Sequence, residues 1–344
     1  MKIACVGGGG FIGHHLALRL KELGHDPLVV DFLGVNNLGS ALERKGTHGW
    51  NDYYLRMLHE RFDRLHAAGV RYENVDARGY HFLSRCLGSF KPDIIIHLAA
   101  VAHITVTKLD QHLAFEHSIL TLKNDLDVAI AVGCQRFIYF SSSTIYGNFK
   151  TPVVDEETPA DPDTTYGAFK LIGELLVQAW RKDKGLDYTI IRPQALYGPR
   201  CVSRRVTQVF LENALSGLPL RIDGDGSAQH DFTYIDDLVD GVVAVLDHME
   251  ASRNETFCIT AGDARSLADL ARIVQALVPG RSMFGPPDPD KPSRGTMSVA
   301  KAASLLSWTP RVSLEEGMAR YSRFYEEFLD GCKGAFVGRG HTGT

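Results

Sequence analysis

Short apolar runs alternate with longer amphipathic stretches through the first 192 residues of the chain. The runs KIACV, PLVVD, RYENV, DIIIHL, RFIYFSS and DYTIIR are mostly β-branched and lack the polar alternation of a one-sided strand, so they predict strands buried on both faces. Between them, apolar positions recur with helical period over 11–24, 51–68, 108–132 and 165–184. This alternation predicts an α/β fold with a doubly wound parallel sheet covered by helices on both faces. Ligands of such a sheet bind outside the carboxyl ends of the strands, so chemistry is expected just after each run. Beyond residue 192, Pro and Gly punctuate the pattern, as in RPQALYGPR, GDGSAQHDF and GPPDPDKPSRG. The reading is a domain over 1–192, a smaller interwoven lobe over 193–330 that closes on the crevice, a helix near 236–250 returning to the first domain, and a flexible tail over 331–344.

The first run leads into GGGGFIG. Gly7, Gly10 and Gly13 stand three apart between a predicted strand and a predicted helix, the context that marks a Rossmann dinucleotide site. Gly7 takes the tight turn, Gly10 admits a pyrophosphate, and Gly13 lets helix and strand pack closely. The helix start, at Phe11 and Ile12, offers free N–H groups to the anion. Asp31 ends the second strand, placed to accept hydrogen bonds from an adenosine ribose. Its neighbours Val30 and Phe32 carry no positive charge, so NAD is expected rather than NADP.

Composition narrows the picture without redirecting it. The 344 residues carry a formal charge of -4 and 23% charged residues, with no long basic block to meet a nucleic acid or an acidic membrane. Six scattered cysteines form no CxxC pair, which predicts reduced thiols, no zinc site and a cytoplasmic setting. The histidines, His14 and His15 among them, match no metal-ligand spacing, so no metal is expected. His103 follows the fourth strand, near the expected mouth of the crevice.

Tyr166 and Lys170 in TTYGAFKLIGE lie four apart, on one face of a predicted helix. The preceding strand ends in the hydroxyls of Ser141, Ser142, Ser143 and Thr144. A phenol with a pKa of about 10 is a poor base at neutral pH. A nearby ammonium and a positively charged nicotinamide favour the phenolate, and a serine hydroxyl relays the proton. This is acid–base chemistry suited to hydride transfer.

Taken together, GGGGFIG, VDAR, HLAA, SSSTIYG, YGAFK, RPQALYGPR, GDGSAQHDFTYIDD and LLSWTPRVSLEEG resemble the extended short-chain dehydrogenase/reductases, the NAD-dependent epimerase/dehydratase group that acts mostly on nucleotide sugars. By that resemblance, Asp76 and Ala77 flank the adenine, and Leu98, Ala99 and Ala100 line the phosphate and ribose side. Tyr166 is the base, Lys170 its pKa-lowering partner and ribose anchor, and Ser142 the catalytic hydroxyl. Ser143 and Thr144 face the sugar. The resemblance also implies a homodimer joined through the helices near 108–132 and 165–184.

The family's 4,6-dehydratases usually carry Asp-Glu where this chain has Ser143 and Thr144, which disfavours dehydration. A nucleotide-sugar 4-epimerase needs one base and one retained NAD, and is the expected activity. A dehydrogenase, decarboxylase or dehydratase, or a NAD-binding protein without turnover, are the rivals. NDYY (Asn51–Tyr54) is similar to a segment of UDP-glucuronate 4-epimerases, here preceded by an extra stretch over 32–50, and suggests a uronic acid sugar. Three departures concern the substrate's diphosphate: Ala195 stands where the family commonly has Asn, His230 where it has Arg, and a later Arg is absent from its usual place. A neutral His does not replace the fork of an Arg. Arg204, Arg205 and Arg294 are the candidates to take over the anion.

Overall fold

The computed structural model describes residues 1–35, 37–43, 49–102, 104–287 and 293–337. Seven strands form the central sheet: β1 (Lys2–Val6), β2 (Asp26–Val30), β3 (Arg71–Glu73), β4 (Ile94–His97), β5 (Arg136–Phe140), β6 (Tyr188–Arg192) and β7 (Glu255–Cys258). They are parallel throughout, in the order β7-β6-β5-β4-β1-β2-β3. Six of the seven coincide with the apolar runs. The seventh, ETFC, comes from the later part of the chain and was not expected, because four residues carry too little periodicity to stand out.

Both faces of the sheet are covered, as continuous apolar strands require. Ile3 and Cys5 face one core layer with Ile94, Ile96 and Ile138, while Ala4 and Val6 face another with Ile95, Phe137 and Tyr139. The first layer also holds Trp308, Met318, Tyr321 and Tyr325, so the end of the chain packs into the same core as its beginning.

The principal helices are α1 (Phe11–Glu22), α2 (Asn51–Ala67), α3 (Tyr80–Phe90), α4 (Thr121–Val132), α5 (Thr165–Lys184), α6 (Val206–Leu215), α7 (Ile235–Asp247) and α8 (Leu314–Val337). The stretch expected as one helix over 108–132 is broken: Ile104–Leu109 and Gln111–Phe115 lead into a π-helical turn, Glu116–Leu120, and then α4. Helix α8 extends through Val337, with Cys332 buried, over the first part of the expected tail; residues 338–344 lie outside the described residues. Within the 32–50 stretch, Leu38–Glu43 is helical, and residues 36 and 44–48 are not described. His103 is also outside the described residues. Among the described residues no helix is long and apolar enough to cross a membrane.

Candidate active site

The strand order reverses at β1, which lies between β2 and β4, and the glycine loop leaves the sheet there. The Gly7 N–H donates to the Val30 carbonyl and the Leu98 N–H to the Val6 carbonyl, both at 2.8 Å, which ties the ends of β1, β2 and β4 together. Gly7 has φ +80°, and a Cβ there would sit 2.6 Å from the Ala99 nitrogen. A Cβ on Gly13 would sit 2.4 Å from the Gly8 Cα, so neither position admits a side chain. Helix α1 starts after Gly10 without a side-chain cap, leaving its first-turn N–H groups for an anion. The residues present therefore fit a dinucleotide pyrophosphate.

Gly7, Gly10, Phe11, Ile12, Gly13, Asp31, Asp76, Ala77, Leu98, Ala99 and Ala100 all line one cleft, with about 1050 Å³ of empty space including its open mouth. Asp31 Oδ2 accepts from the Gly9 N–H at 3.0 Å and Oδ1 from the Leu33 N–H at 2.8 Å, so each oxygen keeps a lone pair for a hydroxyl. Burial raises the Asp31 carboxyl, opposed by those two N–H groups and by the charge of Arg61. At Asp76 the outcome is reversed: burial pushes up, but the Arg78 hydrogen bonds and charge bring the carboxyl below its ordinary value.

Beside this cleft stands the tyrosine–lysine helix. Thr164 caps α5 by accepting from the Gly167 N–H at 3.1 Å, which fixes the turn carrying Tyr166. Ser142 accepts from the Thr144 N–H at 3.2 Å, at the head of a one-turn 3₁₀ helix over Ser143–Tyr146, and lies close enough to Tyr166 to favour its phenolate. Ser143 and Thr144 are both buried, and the Thr144 hydroxyl oxygen has no partner among the described residues.

The electrostatics of this pair depart from expectation. Burial raises the Tyr166 phenol, and the opposing groups are Arg205 and the Ser142 hydrogen bond. Lys170 instead donates to the Phe140 carbonyl at 2.7 Å, with its ammonium 5.2 Å from the centre of the Tyr139 ring. Burial drags Lys170 down to about 8, against the upward pull of Glu174. The Lys170 ammonium is engaged by the Phe140 carbonyl and not by the phenol. Arg205 is the nearby cation that acts on it.

The four substrate-side candidates separate. Arg205 lines the cleft and donates to the Ala102 carbonyl at 3.3 Å. Arg204 has left-handed backbone, φ +53°, and its charge acts on Glu212 and Tyr54 instead. Arg294 is buried, donates to the Gly147 carbonyl and lies over the Phe149 ring, bracing the loop that follows Tyr146. His230 sits in the strand Gln229–Asp231, paired in register with Arg265, and tilts against Phe232. The structure therefore brings only Arg205 of these four into the cofactor cleft.

Phe32, His117 and Arg61 also line the cleft, in places the sequence reading did not assign to it. Phe32 and His117 stack with ring centres 5.3 Å apart and planes 7° apart. His117 lies in the π-helical turn, which no periodicity announces. Arg61 did leave a signal: it falls on the helical stripe Tyr54, Met57, Leu58, Leu65, a charge among buried positions.

A switch-point glycine loop in an all-parallel sheet, with a Ser–Tyr–Lys set alongside, defines the extended short-chain dehydrogenase/reductase class, whose cofactor is a nicotinamide dinucleotide. Within it, the chain belongs to the NAD dependent epimerase/dehydratase family, which matches residues 3–260. It is 28% identical over 334 residues to UDP-glucose 4-epimerase of Mycolicibacterium smegmatis, covering 94% of this chain and 98% of the relative. It is 27% identical over 338 residues to UDP-glucuronic acid decarboxylase 1 of Danio rerio, covering 96% of this chain and 73% of the relative. The crystal structure of UDP-glucuronic acid 4-epimerase from Bacillus cereus in complex with UDP-glucuronic acid and NAD superimposes with a TM-score of 0.83 at 25% identity, covering 95% of this chain and 99% of the other.

Proposed function

We propose that the chain is an NAD-dependent nucleotide-sugar 4-epimerase, with a uronic acid sugar among its candidate substrates. The observation that carries this reading is the placement of Ser142 close enough to Tyr166 to favour its phenolate, beside the dinucleotide cleft, in a site where Ser143 and Thr144 supply no carboxylate. Tyr166 takes the proton from the sugar C4 hydroxyl and later returns it, and Ser142 relays it. The residues of the glycine-loop cleft would hold NAD, which when bound would supply the hydride acceptor for C4. Lys170 anchors the cofactor ribose, and the positive nicotinamide favours the phenolate, against the burial that raises it in the free chain.

Ser143 and Thr144 face the sugar in this reading, and both suit a uronate carboxylate as hydrogen-bond donors. Arg205 is the cation best placed for the substrate's anion, with His230 a weaker donor, while Arg204 and Arg294 are engaged elsewhere. Residues 193–330 serve as the substrate lobe. A homodimer completes the proposal, in a cytoplasmic setting that six free cysteines, four of them buried, suit.

The decisive experiment incubates the purified protein with UDP-, GDP-, CDP- and dTDP-linked sugars and uronates, then assigns product stereochemistry. A C4 stereoisomer without net NADH or CO₂ supports the reading. Release of CO₂, or of a 4-keto sugar as the main product, overturns it in favour of a decarboxylase or a dehydratase.

A further inference from the structure

Arg61 is fully buried at 0% exposure and lines the cofactor cleft. Its guanidinium reaches across from α2 to two different loops. Nη1 donates to the Gly9 carbonyl of the glycine loop at 3.3 Å, and Nη2 to the Arg200 carbonyl at 2.5 Å. Nε has no partner among the described residues. Both acceptors are neutral, so the hydrogen bonds leave the charge itself uncompensated.

Among the described residues no carboxylate hydrogen-bonds Arg61 directly. Glu60 is paired with Arg200 at 2.6 Å, and both Asp31 oxygens accept backbone N–H groups. Burial lowers the Arg61 guanidinium to about 10; Cys201 and Asp31 oppose this through space, while Arg200 adds to it. His14 and His15, which donate to the Gly10 and Pro199 carbonyls, are held neutral by burial and by the arginines. Burying a guanidinium merely to brace two carbonyls is unfavourable, since an ion taken from water needs a counter-charge as well as hydrogen bonds.

We infer that Arg61 is a cofactor-binding residue whose counter-charge is the pyrophosphate of the dinucleotide. The cleft otherwise sets the Asp31 carboxylate beside a doubly negative diphosphate, and a cation on the floor of the glycine loop offsets that repulsion. Pyrophosphate is favoured over a 2′-phosphate because the hydroxyl-binding Asp31 repels a phosphate on the ribose. Arg61 thereby links cofactor charge to the position of Arg200, in the loop that follows the YGP turn. The inference rests on the family's dinucleotide binding and not on the epimerase reading.

The test compares adenosine, ADP, NAD and NADP on wild type, Arg61→Lys and Arg61→Met by calorimetric titration of cofactor-stripped protein. Arg61→Met is expected to weaken ADP and NAD by roughly 10- to 100-fold, the loss of one charge-assisted interaction, while adenosine changes by less than about threefold. Arg61→Lys keeps most of the ADP affinity. An equal loss for adenosine would reduce Arg61 to a structural brace. Unchanged ADP binding would remove it from the site, and a loss confined to NADP would reassign it to a 2′-phosphate. If Arg61→Met does not fold, the Arg61 ¹⁵Nε resonance of the wild type, identified by its absence in Arg61→Lys, carries the test. It shifts with ADP and not with adenosine if the inference holds, and moves with neither if it fails. A chain that shows these shifts but no epimerase activity keeps the inference and loses only the proposed reaction.

Discussion

At Lys170 a buried ammonium meets one carbonyl and one aromatic ring, and its pKa falls to about 8 from an ordinary 10.5. The sign of the stability effect follows from proton counting. Below pH 8 both folded and unfolded chains hold this proton; between about 8 and 10.5 only the unfolded chain does. Unfolding free energy attributable to Lys170 therefore rises with pH through that window. Lys170→Met should abolish the rise and stabilise the cofactor-free chain at pH 7 by on the order of 3 kcal/mol, less about 1 kcal/mol for the lost hydrogen bond. Urea denaturation from pH 7 to 10 measures it, and parallel pH slopes in the two proteins would refute it. Tyr166→Phe is expected to lower turnover by about 10²- to 10⁴-fold, with NAD still bound by absorbance of the denatured extract. Near-normal turnover in that variant would dismiss Tyr166 as the base. Ala195 offers a cleaner stability test. Its φ of +41° is a left-handed conformation that Asn tolerates better than Ala, so Ala195→Asn should add about 0.5 to 1 kcal/mol in urea unfolding. A destabilised variant would show that the neighbouring packing outweighs the backbone term.

At the scale of elements, α5 is locked to the sheet by a buried ion pair. Arg192, the last residue of β6, grips Glu174 through Nε at 3.0 Å and Nη2 at 2.8 Å, and also donates to the Tyr146 hydroxyl at 2.8 Å. Removing one partner strands the other charge, so Glu174→Gln should cost about 3 to 5 kcal/mol. Replacing Glu174 and Arg192 together by Met should cost less than that single change; a double variant as unstable as the sum of its parts would deny the coupling. How far such arrangements were readable depends on the range of the contact. The expected helix over 165–184 is α5, and the glycine loop lies at the end of β1, because periodicity, caps and turns are local properties of the sequence. Eleven of the thirteen residues expected around a cofactor line one cleft for the same reason, each following a strand whose apolar run was plain; Tyr166 and Lys170 do not line it. Arg294 lies well away in sequence from the carbonyl it braces, and Lys170's orientation depends on the end of β5. Neither relation is encoded in spacing. The π-helical turn that presents His117 was equally hidden, since one inserted residue barely alters an amphipathic pattern.

For the whole molecule, the proposed homodimer can be tested at apolar residues left exposed on the surface. Leu109 is 82% exposed and Leu175 56%, with Ile172 one turn from Leu175 on the same side of α5. Phe115, itself partly exposed, meets Phe169 edge-to-face at 6.1 Å, which joins the broken helices of 104–115 to α5 as one surface. Exposed apolar residues grouped on neighbouring helices are common where a chain meets another. Two copies related by a twofold axis would bury it isologously, helices against helices, as the proposed homodimer requires. Leu109→Asp combined with Leu175→Asp places carboxylates where no partner cation is expected, so light scattering after size exclusion should report one chain's mass in place of two. None of these residues lines the cofactor cleft, so bound NAD per chain should stay the same. A double variant that remains dimeric would move the interface elsewhere, and one that becomes monomeric but loses NAD would show that dimerisation shapes the cleft.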